Sequence, residues 1–412
     1  MRRLLRHRDA RLYIAGQALS TAGDSALWLA MGIWVKMLTG SNSAAGLVFF
    51  AYMAGFCLAP VTGLLADRLP RRRLLIAANL VTGAMVAALL AAGSGRLWLI
   101  YLVMVGYGAA DSLISSGQTA LLAMLLPGDL LSEANSALQL ARQGLRVITP
   151  LAGAGILALA GPRPVILLDV ATFGVAAALL ALLRYRDPPR ALAAPAPPCS
   201  AARAQITAGF RHIARTAALR RLSVALVIGA SVFGFFETVE FAVVGQGLHK
   251  SAPFLGVLTV MQGIGAVAGG LLAPWAMRRT SEQIVAIGGL LAGSAACCLE
   301  TTGELAIVLP GAALLGTGIV WINVGAITLV QRRTPAGLVG RVDAAANLAV
   351  TVPQALSIAA GAAIITLTGY RALLAVMAAG LLLAAVYLRR GRRDRRPGAP
   401  AVEKAAARQS SA

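Results

Sequence analysis

The sequence predicts an all-α integral membrane protein of twelve transmembrane helices in two six-helix bundles, and three observations carry that expectation. The 412 residues are 58% hydrophobic and only 13% charged, with a mean hydropathy of +0.76, whereas soluble domains carry about a quarter charged residues. Twelve apolar stretches each approach or exceed the roughly 20 residues needed to cross about 30 Å of hydrocarbon. Lysine and arginine alternate between the two sides of those stretches with a strong bias to one side.

The stretches fall near 12–38, 43–66, 74–94, 97–122, 137–160, 165–183, 218–245, 253–277, 284–302, 305–330, 344–367 and 372–388. Arg142, Arg146 and Pro150 soften the fifth, and Pro353 and Gln354 the eleventh. The first run is too long for the h-region of a signal peptide, so it reads as a retained first span. Helices are the expected spanning form, because a barrel strand would show ten-residue alternation of polar and apolar positions. The 44 glycines, spread through apolar runs, fit closely packed membrane helices.

Assigning both termini and the even-numbered loops to the cytoplasm puts 32 of the 37 basic residues on that side, with Arg142 and Arg146 counted to the loop after span four. Lys36, Arg96, Arg163, Lys250 and Arg371 remain outside. Cytoplasmic loops carry the basic excess in membrane proteins, and omitting one span would reverse every loop after it. The expectation is a multi-pass protein of the cell inner (plasma) membrane with both termini cytoplasmic. The stretch DPPRALAAPAPP reads as a linker and GFRHIARTAALRR as basic helix. Residues 1–183 then form an N-terminal bundle, 184–217 a cytoplasmic linker, 218–388 a C-terminal bundle and 389–412 a basic cytoplasmic tail. The halves echo one another: Pro127 precedes Asn135 by eight residues, as Pro335 precedes Asp343, and internal duplication is common among secondary transporters.

Composition and motif content narrow the functional class. The net charge of +21 sits between apolar stretches instead of on a soluble basic face, so nucleic acid is not the expected partner. Four cysteines, three of them inside apolar runs, make no disulfide or metal framework. His7, His212 and His249 are too dispersed for a metal site, and the phosphate-cradling G-x-x-x-x-G-K-[ST] is missing. No cofactor is expected, and ATP-driven transport is not the expected mode.

Between spans two and three the chain reads Gly63-Leu64-Leu65-Ala66-Asp67-Arg68-Leu69-Pro70-Arg71-Arg72-Arg73. A glycine lets two helices approach, a carboxylate can meet cations or a helix N-terminus, and the basic run holds the cytoplasmic side. This resembles the G-x-L-A-D-R-x-G-R-R signature of the major facilitator superfamily, with Pro70 in place of the second glycine. Ala120-Leu121-Leu122, Pro127, Leu131, Ala134-Asn135, Gly144 and Pro150-x-x-Gly153 look like the segment over helices four and five in the branch containing enterobactin exporters and macrolide efflux pumps. Gly23-Asp24 and the element Pro335 to Gly340-Arg341-Val342 are similar to the same branch. The fifth-helix antiporter motif is degenerate, with Thr149 where a glycine precedes the proline. The arginine that many drug–proton antiporters carry inside helix four has no counterpart, so no relay through it carries over. The resemblance implies gating by Gly63, Asp67, Arg68, Arg71, Arg72, Arg142, Arg146, Gly340 and Arg341.

Ionisable residues at bilayer depth mark function by default. Asp24 and Asp111 sit near the middle of spans one and four, and Glu237 and Glu240 lie three apart on one face of span seven. Water exclusion penalises the charged form of a carboxyl, which suits these four to proton coupling or to meeting a cation. Pairing of Asp24 or Asp111 with Arg142 or Arg146 as a structural lock stays open. Asp169 and Glu300, nearer the outer interface, are expected to be solvated. Trp28, Gln118, Phe235, Phe236, Gln262 and Asn323 are candidates to line a substrate cavity. Gly265 and Gly269 form a G-x-x-x-G that favours close helix packing.

The expected protein is therefore a secondary transporter and not an enzyme, a monomer whose partners are the bilayer, protons and a small-molecule substrate. The resemblance implies efflux of an amphipathic cargo such as a macrolide-like drug or a siderophore. A lysophospholipid flippase or a nutrient importer on the same fold is the alternative, since fold does not fix cargo. A polytopic membrane enzyme would need a polar catalytic cluster at an interface, and a non-transporting sensor is a further alternative.

Overall fold

The computed structural model describes residues 7–59, 62, 69–125, 128–184, 199–334 and 338–393. Among these, every regular element is helical. The α-helices in chain order are α1 (Arg8–Thr39), α2 (Asn42–Phe56), α3 (Arg71–Ala88), α4 (Leu97–Leu125), α5 (Gly128–Ala160), α6 (Pro162–Ala181), α7 (Cys199–Arg215), α8 (Ala217–Ala242), α9 (Leu255–Arg279), α10 (Glu282–Glu300), α11 (Leu305–Arg333), α12 (Val339–Thr368) and α13 (Tyr370–Arg393). All except α7 overlap the apolar stretches read from the sequence. Among the described residues, nine helical stretches, those of α3, α4, α6 and α8 to α13, are long and apolar enough to cross a membrane. α2 is described over 15 residues, the apolar part of α5 is Ile148–Ala160, and α1 interrupts its apolar run with Gln17, Ser20, Thr21 and Asp24.

Local chemistry sets the helix ends. Gly40 takes the left-handed conformation at φ 68° and stops α1, where a side chain would be strained. Ser41 then caps α2 by accepting from the Ala44 N–H at 3.2 Å. Gly161, at φ 76°, turns α5 into α6, whose first residue is Pro162, a position where proline's missing N–H has no helical partner to lose. Pro150 and Pro353 remain inside continuous helices, as neighbouring helices permit in membrane proteins. Within the segment read as the linker, helix begins earlier than the basic stretch from Gly209 suggests: α7 already starts at Cys199 and packs on α12. There Ile213, Leu219, Val342 and Ala345 form a small apolar cluster apart from the main core.

One pairing scheme occurs twice. In the first set α1 packs on α5 and α6, α2 on α4, and α3 on α4 and α6. In the second set α8 packs on α12 and α13, α9 on α11, and α10 on α11 and α13. The correspondence reaches single residues. A methyl group at Gly55 would strike the Val105 carbonyl, and one at Gly108 the Tyr52 carbonyl. In the second set Gly265 stands in the same relation to Ala313, and Gly316 to Gln262. Glycine at these crossings lets backbones touch, and the α9–α11 seam is laced by Thr317 donating to the Gly265 carbonyl at 2.8 Å and by Trp321 donating to the Gly269 carbonyl at 3.0 Å.

The two sets meet through α2 with α12 and α8, and through α5 with α9. Residue contacts between them cluster at the end where α1 turns into α2. Ser43 donates to the Ala362 carbonyl, Gly46 abuts Thr238, and the Phe49 and Phe241 rings stack with centroids 6.1 Å apart. Gly256 packs against Leu151 and Ala154.

Candidate functional site

A polar stripe runs down α1 at helical spacing through Tyr13, Gln17, Ser20, Asp24 and Trp28, and it faces the core: Gln17 is 6% and Ser20 4% exposed. On α4, Tyr107, Asp111 and Gln118 share one face in the same way. The helices bring these stripes together. The Tyr107 hydroxyl donates to Asp24 Oδ1 at 2.6 Å, and Ser20 approaches Asp24 Oδ2 at 3.4 Å. From α2, the Tyr52 hydroxyl donates to Asp111 Oδ2 at 2.6 Å. The Tyr52 and Tyr107 rings tilt against each other at 6.1 Å, and Tyr107 meets Phe173 of α6 edge-on at 5.9 Å. Asp24 and Asp111 thus form one neighbourhood, each held by a tyrosine from another helix.

Arg142 donates to Gln118 Oε1 at 3.4 Å, and the Gln118 carbonyl accepts from Tyr13 at 2.8 Å. Gln118 is therefore a strut between α1, α4 and α5, and Arg142 faces the same interior region as the two aspartates. Trp28 packs on Phe49, with centroids 4.5 Å apart. The side chain of Arg146 lies outside what the structure describes.

A second acid group occupies α8. Glu237 and Glu240 are half-buried, and Gln262 of α9 donates to Glu240. Tyr52 and Gln262 hold corresponding places, since each offers its carbonyl to the glycine of a repeated crossing while its side chain binds an acid of the site. Phe235 packs on Gly361 of α12, and Phe236 is buried in the core at 5% exposure. Asn323 is exposed and donates to Ile319 of its own helix.

The expectation that Asp169 and Glu300 are solvated is overturned: they are 0% and 1% exposed. Distance from a helix end does not determine which face a residue occupies, and both point inward. Gly23 makes room for Asp169, because a methyl there would fall 2.5 Å from Asp169 Oδ1 and overlap Thr172. Gly23→Val is accordingly expected to cost about 1–3 kcal/mol through overpacking, read as a lower Tm of the detergent-purified protein, while Gly144→Val, which faces open space, leaves Tm unchanged.

Of the gating candidates, Arg72 donates to the Leu180 carbonyl at 3.0 Å and to that of Ala181, which places a cation at the C-terminus of α6. Arg71 reaches the Met124 sulfur at 3.2 Å. Gly63, Asp67 and Arg68 lie outside the described residues, and Gly340 and Arg341 are placed only as turns of α12. The tyrosine caps are the residues that sequence reading misses; their one signal is the four-residue spacing of Tyr107 and Asp111.

A family model for the Major Facilitator Superfamily matches residues 13–358. A search among curated proteins finds no match. Among solved structures, the chain is similar to a bacterial homologue of the iron transporter ferroportin in an inward-facing state, at 17% identity and TM-score 0.72, covering 94% of this chain and 99% of that one. The outward-facing state of such a homologue gives 18% identity and TM-score 0.60, over 93% and 99%. A variant of the nucleoside transporter NupG gives 10% identity and TM-score 0.73, over 93% and 99%. With its helical architecture and a family match across most of its length, the chain belongs to the major facilitator superfamily and is a multi-span membrane transporter, not an enzyme.

Proposed function

We propose that the protein is a secondary active transporter that exports an amphipathic small molecule in exchange for protons. It works as a monomer in the plasma membrane by rocking two six-helix bundles, residues 1–183 and 218–388, about a central site. All twelve apolar stretches cross the membrane, both termini and the 184–217 linker are cytoplasmic, and the 389–412 tail is basic. The observation that carries proton coupling is the pair of acid networks, Asp24 and Asp111 under tyrosines in one bundle and Glu237 and Glu240 beside Gln262 in the other. A carboxyl held by hydrogen bonds from neighbouring side chains in a water-poor interior can gain and lose a proton without losing its place. The efflux direction and the cargo class, a macrolide-like drug or a siderophore, rest on the resemblance to the enterobactin-exporter and macrolide-efflux branch.

With this topology, the end at which the two sets touch is the outer one, which corresponds to an inward-facing state. The higher TM-score to the inward-facing ferroportin homologue supports the same reading. Exchange between states then requires Ser43, Gly46 and Gly256 to separate from their partners across the interface.

The deciding experiment is transport by purified protein in liposomes under an imposed pH gradient, with erythromycin, enterobactin, a lysophospholipid and a nucleoside as cargo. Gradient-dependent movement of erythromycin or enterobactin is expected. Movement of lysophospholipid or nucleoside alone would replace export of drugs or siderophores by flipping or import. No dependence on the gradient would remove proton coupling.

Topology is testable separately. Reporters fused after Arg73, within 184–217 and at the C-terminus are expected to report the cytoplasm, and those near Arg163 and Lys250 the outside. A linker reported outside would overturn the arrangement. Asp67→Asn is expected to leave membrane insertion intact and bias the protein inward-open, because a carboxylate on the cytoplasmic face can pair with a helix N-terminus such as that of α12. Unchanged labelling of engineered cytoplasmic cysteines would exclude that role.

A further inference from the structure

Asp169 of α6 belongs to none of the networks assigned above, yet among the described carboxyls of the first set it is the most deeply buried, at 0% exposure. Its Oδ2 has no hydrogen-bond partner among the described residues. Thr172 donates to its backbone carbonyl at 2.8 Å and only approaches Oδ1, at 3.5 Å. Leaving a buried acid oxygen without a partner is expensive, and such groups in native structures call for a role.

Three contacts fix where Asp169 points. Gly23, the neighbour of Asp24, closes on Asp169 Oδ1. Phe173, one turn along the same face of α6, packs edge-on against the Tyr107 ring. The Tyr107 hydroxyl, which donates to Asp24, also interacts with the Asp169 carboxyl. Around Asp169, α1 supplies Asp24 and α4 supplies Tyr107, Asp111 of α4 and Arg142 of α5 face Asp24, and α3 meets α6 at Gly83 beside Phe173.

Asp169 and Asp24 sit at the same level of the bundle, since a methyl on Gly23 would fall 2.5 Å from Asp169 Oδ1. The nearest ends of the three helices that carry Asp24, Tyr107 and Asp169 are the Thr39 end of α1, the Leu97 end of α4 and the Pro162 end of α6. These three helix ends share one side of the membrane, the outer side in the proposed topology.

We infer that Asp169 is a proton-carrying carboxyl in its own right, set beside Asp24 at the same level of the bundle, and that it exchanges protons with Asp24 through the Tyr107 hydroxyl. In one direction of the exchange the Asp169 O–H bond breaks and its proton joins the Tyr107 oxygen, while the original Tyr107 proton passes to Asp24. Tyr107 is neutral before and after, and one proton has moved from Asp169 to Asp24. The role of this step in transport rests on the proton-coupled reading above, but the step itself can be observed without cargo.

The test uses infrared difference spectra of the full-length protein in membranes. The carbonyl band of protonated Asp169 is identified as the one lost in Asp169→Asn, and its shift on transfer from H2O to D2O gives the exchange rate. In Tyr107→Phe, which keeps the ring and its contact with Phe173, exchange at Asp169 is expected to slow by about a hundredfold, the scale of a lost proton-transfer partner. A structural role for Asp169 would leave that rate unchanged, and either an unchanged rate or the absence of any Asp169 band overturns the inference. In a parallel arm, erythromycin-driven proton flux into liposomes is read with an internal pH dye, and Asp169→Asn is expected to cut it by about a hundredfold. Flux retained in Asp169→Asn but lost in Asp24→Asn overturns this inference alone. Absence of flux in the wild type overturns the transport reading for that cargo, and the infrared arm still decides the role of Asp169.

Discussion

Asp24→Asn is expected to abolish proton-driven transport while leaving the fold in place. Asparagine keeps the size of the side chain and can accept from Tyr107, whose hydroxyl lies 2.6 Å from Asp24 Oδ1, but it cannot carry a proton. The loss expected in exchange rate is about a hundredfold or more, the usual scale of a positioned acid or base. Facilitated movement of cargo down its own gradient, which needs no proton, should persist. Glu237→Gln and Glu240→Gln are the comparison, since α8 is the counterpart of α1 in the repeated pairing scheme. Glu240→Gln retains a hydrogen bond with Gln262 by amide-to-amide pairing, so its effect should appear in coupling and not in stability. If Asp24→Asn kept full gradient-driven exchange while Arg142→Gln unfolded the protein, Asp24 would be a structural partner of α5 and the coupling site would lie elsewhere.

Gly46→Leu is expected to hold the outer end open. In the structure Gly46 of α2 abuts Thr238 of α8, and a Cβ at Gly46 would come within 3.0 Å of both Thr238 Cβ and Cγ2. The conflict exists only when α2 and α8 touch, so the substitution penalises one state and spares the other. An overpacking cost of about 1–3 kcal/mol converts to a shift of about 5- to 150-fold in the balance between states. In a background lacking native cysteines, labelling of Ala362→Cys by an impermeant reagent from the outside should rise by a comparable factor, because Ala362 sits beside Ser43 at the same closure. Transport should fall with it. Gly40→Ala, at a turn with open space around it, probes strain in the α1–α2 turn and should not change the labelling. Equal labelling in the wild type and Gly46→Leu would exclude this contact as the outer closure.

The membrane helices were legible because two signals of different origin agree, apolar length and the sidedness of Lys and Arg. Helix ends such as Thr39, Ala160 and Ala181 fall within a few residues of the stretches read from the sequence. The start of α7 was not legible, since residues 199–208 carry neither a long apolar run nor a strong cap. In the site, the four interior acids and Gln262 were visible as polar residues at depth, but the hydroxyls that hold the two aspartates were not. Tyr52 and Tyr107 come from helices whose mutual rotation is decided by packing, for example by Gly23 against α6. The burial of Asp169 and Glu300 was hidden for the same reason, because depth along a helix and the direction a side chain faces are independent quantities.

The glycine crossings restrict how the molecule can deform. At Gly55 with Val105 and Gly108 with Tyr52, and again at Gly265 with Ala313 and Gly316 with Gln262, main chains are in direct contact, so neither helix of a pair can slide without breaking two seats three residues apart. Each pair therefore holds together as a single beam, with its acid-binding side chain, Tyr52 or Gln262, at the crossing. If the two bundles rock as proposed, the crossing is the stiffest part of each beam, and the four missing methyl groups keep the acids' partners in place while the helix tips move.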